Sequence, residues 1–187
     1  KKKNNSIVVS KKRGGELIGQ GNYGCVYSPP IPCKKAHDVQ EGAVSKIMSE
    51  KNAKDEEREA IQINRIDPEG KYFLPLVKKC ETTNKLIDEH KKTTKPCKLT
   101  VQNPFQLIYK YKGVDMKKYL EKGDLMPLSE MVPKLLNIAE GIQVLQAAGL
   151  AHTDIKPDNV LLADVEEGKK RMLLIDFGLL DNIADIY

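Results

Sequence analysis

His152-Thr153-Asp154-Ile155-Lys156-Pro157-Asp158-Asn159 is the stretch on which the reading of this 187-residue chain turns. It follows an amphipathic helical run and precedes the apolar Val160-Leu161-Leu162. Seventeen residues beyond Asn159 stands Asp176-Phe177-Gly178, entered through Met172-Leu173-Leu174-Ile175. A carboxylate at Asp154 can orient an attacking hydroxyl and accept its proton. An ammonium at Lys156 can neutralise a transferring phosphoryl group. The amide oxygen of Asn159 and the carboxylate of Asp176 are hard oxygen donors of the kind Mg²⁺ prefers. Together they fit phosphoryl transfer from a Mg-nucleotide. Asp-Phe-Gly alone is an ordinary turn; the loop and the triplet, in this order between apolar strands, are specific.

At these residues the chain resembles a eukaryotic-type protein kinase, whose catalytic loop reads H-R-D-x-K-x-x-N and whose metal loop reads D-F-G. The resemblance covers about Glu16 to Tyr187. It implies an α+β, bilobal fold: an antiparallel-sheet small lobe with one main helix, and the beginning of a helical large lobe. The implied division is a basic arm at 1–13, a small lobe at 14–111 and a partial large lobe at 112–187. ATP and Mg²⁺ are the implied cofactors. Asp154, Lys156 and Asn159 are the implied catalytic residues, Asn159 and Asp176 the metal ligands. Thr153 replaces the family's arginine, which pairs with a phosphorylated activation segment, so control of that kind is not expected. Lys156, two residues after the aspartate, matches the Ser/Thr pattern. The family continues through an activation segment and several more helices, whereas this sequence stops nine residues after Gly178, so a fragment is expected.

Upstream, Gly19-Gln20-Gly21-Asn22-Tyr23-Gly24 is a G-x-G-x-x-G, a weak signal alone. Its flanks, Leu17-Ile18 and Val26-Tyr27, predict strand–turn–strand rather than strand–turn–helix. In the resemblance Gly19, Gly21 and Gly24 close over phosphates, and Val26, Val44 and Leu161 enclose the adenine. Ser28-Pro29-Pro30-Ile31-Pro32-Cys33 cannot continue a central strand, because proline removes ladder donors. The run 24–30, followed by Cys33, resembles a variation in kinases of large cytoplasmic DNA viruses. Ala43 to Ile47 reads as a strand with Lys46 as the phosphate-gripping lysine. Residues 49–66 read as a helix ended by Asp67-Pro68, with Glu59 as the partner of Lys46 and Glu56 as its rival.

Residues 72–77 and 98–101 read as further strands around a charged excursion at 81–95, and 106–111 as the strand entering the hinge. By resemblance Tyr109 guards the back pocket, and the backbones of Lys110 and Lys112 meet the adenine edge. Asp115 either reaches the ribose or caps the helix beginning at Met116. Residues 128–148 carry apolar positions at helical spacing, with Pro133 placed in the first turn and Gly149 as the stop.

The net charge of +5 gathers partly in Lys1-Lys2-Lys3 and Lys11-Lys12-Arg13. No nucleic-acid motif accompanies these clusters, so they read as solvated tails. No apolar run approaches the roughly 20 residues of a membrane span, and the basic N-terminus lacks a signal peptide's apolar segment. The expected location is cytoplasmic, the host cytoplasm or virion if viral. Cys25, Cys33, Cys80 and Cys97 are therefore expected as reduced thiols, with a Cys80–Cys97 bond conceivable.

Three functions stand in order: a Ser/Thr protein kinase acting on a protein hydroxyl, a small-molecule phosphotransferase of kinase-like fold, and a non-catalytic kinase-like scaffold or virion component. Lys156 and the glycine-rich loop weigh against the second. Intact Lys46, Asp154, Asn159 and Asp176 weigh against the third.

Overall fold

In the computed structural model, which describes residues 15–21, 23–35, 42–91, 97–99, 101–123 and 125–186, the glycine-rich stretch is a strand–turn–strand. β1 (Glu16–Gln20) and β2 (Gly24–Ser28) pair antiparallel, as their apolar flanks predict. β3 (Val44–Met48) follows, and then α1 (Glu50–Ile66), which starts where the Ser49 hydroxyl accepts the Asn52 N–H. β4 (Leu76–Glu81), α2 (Asn84–His90) and β5 (Phe105–Tyr109) complete this part of the chain. The five strands form one sheet of order β1-β2-β3-β5-β4. The expected basic arm at 1–13 lies outside the described residues.

Strand alternation divides β2 between two faces. Val26 faces a cavity, while Cys25 and Tyr27 face outward into a second apolar layer with Ile31 and Ile47. Leu86 and Ile87 of α2 and Leu99 cover that layer. Cys25–Cys97 holds the cover on and Cys33–Cys80 ties the proline-rich excursion to β4, with Cα separations of 6.0 and 5.8 Å. The expectation of reduced thiols is thus corrected, as is the Cys80–Cys97 pairing. Cys97 lies over β2, and Cys33, in the proline-rich excursion, lies beside β4. The described part of 98–101 is accordingly not a strand.

The strand expected at 72–77 also shifts, since only Leu76 and Val77 belong to β4. The cause is Asp67, which is buried and gathers the chain ahead of β4 into a turn. Its carboxylate accepts the N–H groups of Lys71, Tyr72 and Phe73 at 2.9, 2.7 and 3.0 Å. Three donors offset the cost of burying the charge.

Beyond β5 come β6 (Gly113–Asp115), α3 (Met116–Glu121), α4 (Leu128–Ala147) and β7 (Leu150–His152). A 3₁₀ turn (Pro157–Asn159) leads into β8 (Val160–Glu166) and β9 (Lys169–Leu174). β10 (Leu180–Asn182) and α5 (Ile183–Ile186) end the described chain. β6, β8 and β9 form one small sheet, β7 and β10 another. Pro133 lies inside α4, the sixth residue from Leu128, not in the first turn as expected. Gly149 ends that helix at φ 75°, a conformation that favours glycine. The largest core cluster joins Ile63 of α1 and Phe73 to Ile138 and Leu145 of α4, Leu162 of β8, Met172 and Leu174 of β9, and Phe177. It sets the sheet against the helical part and leaves a cleft between them.

Candidate active site

That cleft is a cavity of about 400 Å³. Gly19, Gly21, Val26, Val44, Lys46, Glu59, Tyr109, Asp115, Asn159, Leu161 and Asp176 all line it. Val26 and Val44 come from one wall and Leu161 from the other, leaving an apolar slot between them. Gly24 does not line the cavity. Its lack of a side chain serves β2–β3 contact, since a Cβ there would stand 2.9 Å from the Ile47 carbonyl oxygen.

Lys46 donates from Nζ to Glu56 Oε2 at 2.5 Å, and both side chains are about one-fifth exposed. The expected Glu59 partnership is corrected to Glu56. The buried residues of α1 are Ala53, Ala60 and Ile63. At about 100° per residue, Glu56 falls inside that arc and Glu59 about 40° beyond its edge. Glu59 remains a wall residue. Burial, and then the Glu56 and Asp176 carboxylates, push its pKa up to about 7, against the smaller opposing pull of Lys46.

The hinge assignments need a second correction. Lys110 gives its N–H to the Pro75 carbonyl at 3.0 Å. Lys112 gives its N–H to Gly42 O at 3.0 Å, and its own carbonyl accepts the Asp164 N–H at 2.9 Å. Neither residue lines the cavity; Tyr111 does. Asp115 both lines the cavity and caps α3, accepting the Lys118 N–H at 2.9 Å and the Lys118 ammonium at 2.8 Å. Burial works against its ionisation, but the Lys118 bonds prevail and hold the carboxyl below its ordinary pKa.

On the helical side, Asn159 is buried and donates its Nδ2 to both the backbone oxygen and Oδ2 of Asp154, each at 2.9 Å. Lys156 Nζ reaches the same Oδ2 at 2.6 Å. The Lys156 hydrogen bond chiefly holds Asp154 below its ordinary pKa, so it is a carboxylate at neutral pH. Asp154 and Lys156 lie outside the cavity lining but join it through Asn159.

Asp176 sits at φ 63°, a left-handed conformation uncommon for a residue with a side chain. Phe177 explains the turn. It is buried, 5.5 Å from Phe73 edge-on and 5.3 Å from the His152 ring, so the chain reverses between an inward phenyl and a cavity-facing carboxylate. His152 accepts the Asp154 N–H at Nδ1 (3.3 Å) and contacts Ile175 O through Nε2 (3.2 Å), which fits a ring protonated at Nε2. Thr153, in the arginine's place, donates from its hydroxyl to Leu179 O at 2.8 Å and so fastens β10 beside the loop.

The donor set suits a magnesium nucleotide. With its NH₂ given to Asp154, Asn159 keeps Oδ1 for a cation, and Asp176 adds an anionic oxygen. Two such ligands are what Mg²⁺ takes when phosphates and water complete its shell. Among the described residues no group of three or more His, Cys, Asp or Glu forms a metal-binding cluster by itself.

Sequence reasoning missed Tyr111 and Lys118 as wall residues. A place inside the helical-wheel arc was the available signal for Glu56, and Lys118 carried one in its place three residues after a capping aspartate.

Comparison with known proteins agrees with this geometry. The family model for the protein kinase domain matches residues 13–185. Serine/threonine-protein kinase DCLK2 of Rattus norvegicus is 25% identical over 175 residues, which is 92% of this chain and 20% of that protein. Serine/threonine-protein kinase 16 of Mus musculus is 34% identical over 64 residues, 34% of this chain and 20% of that protein. Homeodomain-interacting protein kinase 2 of Mus musculus is 34% identical over 59 residues, 32% of this chain and 5% of that protein. The chain thus spans a fifth or less of the length of these curated relatives. No described helix is long and apolar enough to cross a membrane. With the motifs, the cleft and the family model in accord over nearly the whole chain, the protein belongs to the eukaryotic-type protein kinase family.

Proposed function

We propose that the chain carries the nucleotide site and catalytic loop of a Ser/Thr protein kinase that moves the γ-phosphate of ATP to a protein hydroxyl. The supporting observation is the placement of three charged groupings around one cleft. The Lys46–Glu56 pair stands on the sheet side, Asp176 on the opposite wall, and Asp154 beside Asn159 and Lys156.

In this reading the glycine-rich turn and the valine slot bind and orient the nucleotide. Lys46, aligned by Glu56, holds its phosphates. Asn159 and Asp176 would hold Mg²⁺, which offsets phosphate charge when bound. Asp154 Oδ1 is left free of hydrogen bonds within the described residues, whereas Oδ2 is held by Lys156 and Asn159. The free oxygen can orient the substrate hydroxyl and accept its proton, and Lys156 then faces the phosphoryl group in flight. The Ser/Thr preference rests on Lys156 and on the names of the relatives. A virion or host-cytoplasm setting rests on the 24–30 run alone.

The test is transfer of labelled γ-phosphate to protein substrates, measured on this chain and on any longer natural product containing it. Asp154→Asn should retain nucleotide affinity and lose about 10²–10⁴-fold in transfer. Equal rates for the two proteins would remove Asp154 from the chemistry. Labelling of a small molecule alone would favour the second reading, and nucleotide binding without any transfer the scaffold.

A further inference from the structure

We propose that the Tyr109 hydroxyl is a positioning group, a latch that keeps α1 in the inward place the Lys46–Glu56 ion pair requires. The proposal rests on the phosphotransfer reading for its kinetic consequence, but not for its structural one.

Glu56 divides its carboxylate between two strands. Oε2 meets Lys46 of β3 at 2.5 Å, and Oε1 accepts the Tyr109 O–H at the end of β5 at 2.6 Å. β3 and β5 are direct neighbours, with Val44 opposite Tyr109 and Lys46 opposite Leu107. The helix residue is therefore held across a strand pair, by side chains from diagonally placed positions on the two strands. An ion pair to a flexible lysine alone lets a carboxylate swing. A second, short bond from a rigid ring fixes both its position and its rotation.

The rest of α1 shows why this matters. Its C-terminal half is fastened through Asn64, whose amide donates to Leu76 O at 2.7 Å and accepts the Leu76 N–H at 3.2 Å. Its N-terminal half meets the sheet through Ala53, whose small side chain gives little apolar contact, and through an ion pair between Glu57 and Lys79. Glu56 is thus the main inward polar tie of that half to the cleft. Burial, with the nearby Glu56 carboxylate second, pushes the Tyr109 phenol well above its ordinary range, so it remains a donor.

The experiment uses the whole chain with Tyr109→Phe, which keeps the ring and removes one oxygen. Amide exchange across residues 54–60 should quicken by about tenfold, the lower end for a bond to a charged group. The rate of phosphate transfer should fall by a similar factor. In a Glu56→Ala background the same substitution should change either quantity by less than about twofold, because its partner is gone. Exchange equal to the parent's, or an equally large effect without Glu56, overturns the latch. If neither this chain nor a longer natural product containing it transfers phosphate, yet Tyr109→Phe quickens exchange only when Glu56 is present, the latch stands and the phosphotransfer reading falls.

Discussion

Reduction of the two disulfides should unfold the small lobe or bring it close to unfolding. The bonds close loops of 72 and 47 residues by sequence separation, the second nested inside the first. The chain-entropy relation gives about 4 kcal/mol at 25 °C for the inner loop. With the inner loop closed, the outer one shortens to about 25 residues and contributes about 3.5 kcal/mol. Both together approach the roughly 5–15 kcal/mol that holds a whole domain folded. Measured bonds often fall short of the relation, so a loss of about 4–7 kcal/mol on full reduction is the expected range. The cover of α2 and residues 97–99 over Tyr27, Ile31 and Ile47 should open first, because it rests on a modest apolar patch, the Cys25–Cys97 bond and the Lys98 N–H given to Gln20 Oε1. Urea unfolding followed by far-UV circular dichroism, with and without reductant, measures the loss. Thiol titration in denaturant counts the bonds, with no free thiol before reduction and four after, the full cysteine complement. Four free thiols in protein purified without reductant, with one urea midpoint under both conditions, would refute the pairing. Since disulfides persist mainly in oxidising settings, the same titration on protein from its native source bears on the proposed cytoplasmic location.

Glu56→Gln should weaken nucleotide-dependent turnover at least tenfold while Glu59→Gln changes it little, since only Glu56 contacts Lys46; steady-state kinetics of both decide it. Glu59, with its pKa raised to about 7 in the folded state, favours folding while protonated and loses that advantage as pH rises from about 4.5 through about 7. The gain in urea midpoint of Glu59→Gln over the parent should therefore be larger at pH 8 than at pH 5, and an equal gain at both would contradict the assignment. Asp176→Asn should lower the affinity for nucleotide in Mg²⁺ but not in chelator, read by titration calorimetry. Asp67→Ala leaves three amide donors without their shared acceptor and should cost about 2–4 kcal/mol in urea unfolding.

What the sequence determined by itself is local. The loop 152–159, the 176–178 triplet and the glycine turn each depend on residues a few positions apart, where backbone geometry follows from residue type. Their order along the chain was enough to place Lys46, Asn159, Leu161 and Asp176 around one cleft. The tertiary structure decided whatever depends on how one element is rotated or laid against another. The choice of Glu56 over Glu59 follows from the rotation of α1 above β3; the helical wheel carried a signal for Glu56, but the packing of Ala53 and Ala60 on the sheet decided it. The occupation of the Lys110 N–H and of both backbone groups of Lys112 follows from partners at Pro75, Gly42 and Asp164, supplied by distant segments. The cysteine pairing follows from a cover folded across the sheet, bringing together residues 72 and 47 positions apart that spacing alone cannot match. Tyr109 could be read as a wall of the pocket. Its bond to Glu56 exists only because β5 and α1, more than fifty residues apart at that point, meet over the same lysine.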